Sequence, residues 1–188
     1  GEELLEELAL SAGVREFTHL GFYSENGESE TIYGSDIKFF DEIEMKDIIN
    51  NRSKQISSGY NEEGERLLIL AADAVYPMKS GNTSTVLVAA VPMKYLEEEL
   101  VLEEDNAMVY SHIIRKNGAF VVRTGEEYQD NYLDRIRDDL KAEEHAAKMK
   151  SAMDAGEDYS ALVAIGDTHR HLYCSELPGS EWYLVSIM

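Results

Sequence analysis

Two near-continuous apolar runs dominate the middle of the chain, residues 67–78 and 84–100, separated by a polar turn over residues 79–83. Runs rich in Leu, Val and Ala and joined through Ser80-Gly81-Asn82 predict an antiparallel hairpin buried on at least one face, with the second strand feeding a short helix. Upstream, Leu4, Leu5, Leu8 and Ala9 fall at helical spacing in residues 2–11, and Gly13 is the expected stop. Residues 14–23 then read as a strand, and Glu25-Asn26-Gly27-Glu28 as a turn into a short strand over 31–33. Asp41, followed three residues later by Glu44, predicts a capping box that opens a helix running through Asn51.

The second half repeats the logic with different punctuation. Lys116-Asn117-Gly118 is the strongest turn signal in the chain, because Asn-Gly suits the positive φ angles of a tight reverse turn. A long helix is expected next, started at Asp130-Asn131, faced by Leu133, Ile136, Leu140, Ala147, Met149 and Met153, and stopped at Gly156. Three strands follow, over 159–165, 170–177 and 182–187. Two strands, a helix and three strands is the element order of a PAS-like module. The acidic stretch Glu103-Glu104-Asp105-Asn106 is the best candidate boundary, which gives a helical stub over 1–13, a first module over 14–105 and a second over 106–188. The expected class is α+β, with two antiparallel sheets flanked by helices.

Charge narrows the partners. Across 188 residues, 17 Lys plus Arg face 37 Asp plus Glu, a net charge of −20 that repels phosphate backbones and anionic lipid, so no nucleic-acid partner is expected. A single cysteine, Cys174, forbids an intrachain disulfide. No run of 18 apolar residues and no basic, apolar leader occurs, so the segment itself is not expected to insert in a membrane.

Motifs for catalysis are missing. There is no Gly-rich phosphate loop, nucleophile elbow or helical His-Glu-x-x-His. His169 and His171 share a strand face, but Cys174 lies an odd number of residues away, so neither a metal site nor a cofactor is expected. The residue that stands out is Asp73. On strict alternation it shares a face with Leu67, Ile69, Ala71 and Val75, and a carboxylate among apolar neighbours needs a compensating donor. Either a local cation, solvent or a turn supplies that donor, or a ligand does. The second reading makes Asp73 and Arg66, with Tyr33, Tyr60 and Tyr76, the candidate ligand-binding residues, and Tyr23 a further tyrosine at the same pocket.

Taken in succession, the hairpin over 67–100, the hairpin around Asn117-Gly118 and the closing strand Glu181-Trp182-Tyr183-Leu184-Val185 resemble a double Cache domain, the extracytoplasmic PAS-like sensor of bacterial receptors. The resemblance implies a stalk helix rising from the membrane, a membrane-distal module that binds a small ligand, and a membrane-proximal module that passes the signal to a cytoplasmic histidine kinase or diguanylate cyclase. It also implies membrane helices flanking the segment and no enzymatic activity in the segment itself, and the apolar stripe of Leu4, Leu5 and Leu8, which must be buried against something, predicts a homodimer through that helix in the intact receptor. One departure matters. The amino-acid-binding branch carries Arg-x-Trp-Tyr ahead of its pocket strands, and nothing between Val14 and Arg66 matches it, so amino-acid sensing is not implied. A protein-interaction module with no small ligand, or an enzyme with an unrecognised site, are the alternatives from other classes.

Overall fold

A computed structural model describes residues 2–14, 16–51, 53–102, 110–123, 131–139, 143–165 and 167–187. The chain divides into two compact units, Gly1–Tyr95 and Leu96–Met188. The boundary expected at residues 103–106 lies outside the described residues.

The first unit opens with helix α1 (Glu2–Val14), followed by strands β1 (His19–Ser24), β2 (Ser29–Gly34) and β3 (Lys38–Phe39), helix α2 (Glu42–Asn50), and strands β4 (Ile56–Tyr60), β5 (Arg66–Asp73) and β6 (Ser84–Pro92). The strands form one antiparallel sheet in the order β2-β1-β6-β5-β4-β3. Helix α3 (Lys94–Leu102) follows β6, as the second apolar run predicted. The boundary of α1 differs from expectation. It continues through Gly13 to Val14, and β1 begins only at His19. Gly13 lies against the Tyr33 ring of β2, where a Cβ would make ordinary van der Waals contact at 3.5–3.7 Å. Packing of the helix end on β2 thus overrides the local stop signal.

Directly paired residues share a sheet face. His19, Gly21 and Tyr23 of β1 therefore lie with Ala90, Val88 and Val86 of β6, and with Ile69, Ala71 and Asp73 of β5. That face carries the core. Leu67, Ile69, Val86, Val88 and Ala90 are buried against Ile48 and Ile49 of α2, with Phe39 and Met45 packed at the edge. Each fully buried Leu, Ile or Val among them contributes roughly 1.5–3 kcal/mol through burial. The start of α2 is held as the sequence foretold: the Asp41 carboxylate accepts from the Glu44 amide at 2.7 Å.

The second unit comprises β7 (Tyr110–Arg115), β8 (Phe120–Val122), α4 (Tyr132–Asp139), α5 (Glu143–Ala155), β9 (Tyr159–Ile165), β10 (Thr168–Glu176) and β11 (Trp182–Ile187), with sheet order β8-β7-β11-β10-β9. Both sheets are antiparallel with helices on them, the expected α+β class with two PAS-like modules. The long helix read over 133–153 is two helices, α4 and α5, and residues 140–142 between them lie outside the described set. Asn131 caps α4, its side-chain oxygen accepting from the Leu133 amide at 3.0 Å and the Asp134 amide at 3.3 Å. Met149, Met153, Leu172, Val185 and Tyr183 fill the core, and Trp182 is fully buried. Cys174 is buried too, which pushes its thiol up to about 12 and removes it from nucleophilic chemistry. Among the described residues, no helix is long and apolar enough to cross a membrane.

Candidate functional site

A cavity of about 410 Å³ opens in the first unit, lined by Tyr23, Gly27, Ser29, Asp36, Ile37, Lys38, Phe39, Asp41, Glu42 and Met45. The volume is in the range of small-molecule sites. Three elements build it. β1 and the β1–β2 turn supply Tyr23 and Gly27, the turn closing through a Gly27 amide to Ser24 carbonyl bond of 2.9 Å with Gly27 at φ 86°. The segment between β2 and β3 supplies Asp36 and Ile37, and the first turn of α2 brings Asp41, Glu42 and Met45.

The wall is acidic: three carboxylates, Asp36, Asp41 and Glu42, against the single ammonium of Lys38. Asp36 is oriented by the Thr31 hydroxyl, which donates to its Oδ1 at 2.7 Å. Ile37, Phe39 and Met45 give the cavity an apolar side, so it offers a desolvated surface for a short hydrocarbon and acceptors for a charged donor. Behind this wall lies a polar pair. His19 is fully buried, with Nδ1 2.8 Å from the Ser35 carbonyl and Nε2 3.1 Å from the Tyr23 hydroxyl. Burial holds the His19 imidazole below its ordinary pKa against the opposing pull of the Ser35 carbonyl and Asp36. Burial, with the Asp36 charge, also pushes the Tyr23 phenol upward, and a Ser29 hydrogen bond counters this in part.

The residues proposed from sequence are spread over the sheet. Asp73 does share the face of Leu67, Ile69 and Ala71, but it ends β5 and is exposed. The cleft beside it, lined also by Lys54 and Gln55, holds about 20 Å³, room for about one water. Arg66 begins the same strand, seven residues and hence about 23 Å away at strand rise, so the two cannot grip one small ligand. Arg66 pairs directly with Tyr60, which brings those two together on the opposite face. Tyr33 also lies on that opposite face, paired with Leu20, and Tyr76 stacks on Phe22 at 4.7 Å and 7°. Of the four tyrosines named from sequence for the pocket, Tyr23 alone lines the large cavity. Asp36 and His19 carried no sequence signal strong enough to single them out, and Asp41 was read only as a helix cap, although His19-x-Gly21-x-Tyr23 on one strand face is a pattern that alternation could have exposed.

The second unit has its own buried polar group. His112 accepts from the Arg135 guanidinium at 3.2 Å through Nε2, and its ring sits against Phe120 and Tyr132 at 5.3 and 5.7 Å. Burial, together with the Arg135 and Arg123 cations, pulls it down to about 4, so at neutral pH it is an uncharged acceptor for the Arg135 guanidinium. Among the described residues no cluster of three His, Cys, Asp or Glu is placed to hold a metal ion.

No protein-family model matches the chain, and no curated protein matches it by sequence. Solved structures do match. The extracellular domain of the putative histidine kinase mmHK1S-Z2 aligns with TM-score 0.58 at 11% identity, covering 100% of this chain and 81% of that one. The ligand-binding domain of the Pseudomonas fluorescens chemoreceptor CtaA in complex with L-serine aligns with TM-score 0.57 at 13% identity, covering 98% and 78%. That of the Pseudomonas aeruginosa PAO1 amino acid chemoreceptor PctB in complex with L-Arg aligns with TM-score 0.55 at 14% identity, covering 100% and 72%. The Cache-like fold expected from the order of the hairpins is therefore the fold of this chain, shared with extracellular sensor domains over nearly its whole length.

Proposed function

We propose that this chain is the extracytoplasmic sensing domain of a bacterial membrane receptor, and that the cavity of its first unit takes a small ligand carrying an ammonium group. The observation that carries the reading is the wall itself: three carboxylates and one ammonium around about 410 Å³ with an apolar side. A net charge of −20 adds a field that draws cations toward it. The shared fold supports a sensor over an enzyme. The ligand class rests on the cavity alone.

Binding would act by favouring one of two conformations of the receptor, and only differential affinity for the two moves that equilibrium. The output, in the parent protein, is a histidine kinase or a diguanylate cyclase. The parent works as a homodimer through α1, where Leu4 is 47% exposed although apolar. Cysteine at Leu4 in the full-length receptor should form disulfide-linked dimers without loss of signalling; an active receptor that never crosslinks there would exclude the α1 interface.

A thermal-shift panel tests the ligand class. Ethanolamine, putrescine, L-serine and L-arginine are set against glucose, acetate and succinate, since a compound that binds only the native state must raise the melting temperature. At least one of the amines should do so, and the acids should not. Stabilisation by acetate or succinate with none by any amine would overturn the reading.

A further inference from the structure

His19 and Tyr23 are four residues apart on one face of β1, so their Cα atoms are separated by about 13 Å. Their side chains nevertheless meet, with Tyr23 Oη 3.1 Å from His19 Nε2. They do so over Gly21, which has no side chain to stand between them. A Cβ there would lie 2.9 Å from His19 Nε2 and 3.1 Å from the Glu30 carbonyl oxygen.

The directions of the hydrogen bonds follow from the partners. The Ser35 carbonyl oxygen, 2.8 Å from Nδ1, can only accept, so Nδ1 carries a proton and donates. Burial keeps the ring neutral, which leaves Nε2 with a lone pair and no proton. Nε2 therefore accepts, and the donor is the Tyr23 hydroxyl. The only proton of the phenol is committed to His19. Its oxygen turns lone pairs toward Ser29 and the cavity, the side on which the Asp36 carboxylate stands.

We propose that His19 is a positioning residue for the ligand site: by taking the Tyr23 proton it fixes Tyr23 Oη as a hydrogen-bond acceptor in the cavity, so that the site reads an N–H or O–H donor on its ligand. This rests on the small-ligand reading above. It also makes the site sensitive to acid. When His19 gains a second proton, Nε2–H becomes the donor to Oη, and the Tyr23 hydroxyl can then turn its proton only toward the cavity. An acceptor becomes a donor facing an ammonium. The charged groups around the cavity are Asp36, between β2 and β3, Lys38 of β3, and Asp41 and Glu42 at the start of α2. Because His19 sits below its ordinary value of 6.5 in the folded state, the loss of affinity falls at a pH below 6.5.

The test has two arms. In the unliganded protein at neutral pH, long-range proton–nitrogen spectra of the histidine rings should show His19 neutral and protonated on Nδ1; a ring protonated on Nε2, or charged, overturns the proposal. In the second arm, ethanolamine, putrescine and L-serine are titrated into wild type, His19→Phe, Tyr23→Phe and the double variant. Each single change should weaken the tightest of the three probes about tenfold, the double variant should lose no more than either single one, and Tyr23→Phe should abolish the acid-dependent loss. Undiminished affinity in His19→Phe, or losses that multiply, would defeat the assignment. Should neither these three probes nor L-arginine bind wild type, the small-ligand reading falls, while the ring spectra still decide whether His19 holds the Tyr23 proton.

Discussion

Asparagine in place of Asp36 should weaken amine binding by roughly ten- to a hundredfold while leaving the melting temperature of the unliganded protein within about 2 °C. The reason is local. Asp36 stands at the cavity with its carboxylate oriented by Thr31, and a charge-assisted hydrogen bond to an ammonium contributes about 1.5–3 kcal/mol. Asparagine keeps the shape and one acceptor oxygen, so it removes the charge with little else. The side chain is exposed, and the fold makes small use of it. Asp73→Asn is the informative comparison, since Asp73 borders the 20 Å³ cleft at the end of β5 and does not line the large cavity. Calorimetric titration of the three proteins with the best amine settles the matter. Equal affinities for wild type and Asp36→Asn, or a larger loss in Asp73→Asn, would return the ligand to the site suggested by the sequence.

Gly34→Ala should be the most damaging single methyl that can be added to the first unit. Gly34 closes β2 at φ 76°, and a Cβ there would stand 2.0 Å from the Thr18 carbonyl oxygen and 2.7 Å from its carbon. Neither atom belongs to a side chain that can swing away. A left-handed conformation costs an L-residue roughly 1–2 kcal/mol, and the overlap adds roughly 1–3 kcal/mol. Gly64→Ala separates the two terms, because Gly64 has a similar φ of 78° with nothing within 4 Å of the added atom. Urea unfolding should place Gly34→Ala well below Gly64→Ala in stability. Ligand affinity should fall as well, since Gly34 leads directly into Ser35, whose carbonyl holds His19, and into Asp36. Two variants of equal stability would mean that the turn from β2 yields more freely than its contacts imply.

Much of the fold was legible because it rests on local signals. The apolar runs became β5 and β6, paired from Leu67–Pro92 to Asp73–Val86, and the Asp41 and Asn131 caps lie where helices were expected to start. Strands β3 and β4 were missed, since Lys38 and Phe39 are too few to carry a period and Ser57-Ser58-Gly59 reads as a break between elements. The site was harder for a different reason. Alternation correctly put Asp73 on the core face of β5, but it cannot tell that burial fades along the strand, from Leu67 and Ile69 at 0% exposure to a solvated end. Nor does spacing reveal that the segment after Gly34 folds back so that Ser35 reaches His19, a contact across 16 residues set by tertiary packing.

The most direct test of the central claim is where an amine lands. With methionine methyl groups labelled, Met45 reports on the cavity, while Met149 and Met153 report on the buried core of the second unit. On titration with the best amine of the panel, the Met45 signal should shift and saturate with the calorimetric affinity, Met149 and Met153 should hold still at first order, and Asp36→Asn should move the midpoint of the Met45 shift to a roughly ten- to hundredfold higher concentration. Saturable shifts confined to Met149 and Met153, with Met45 unmoved, would contradict a ligand site in the first unit.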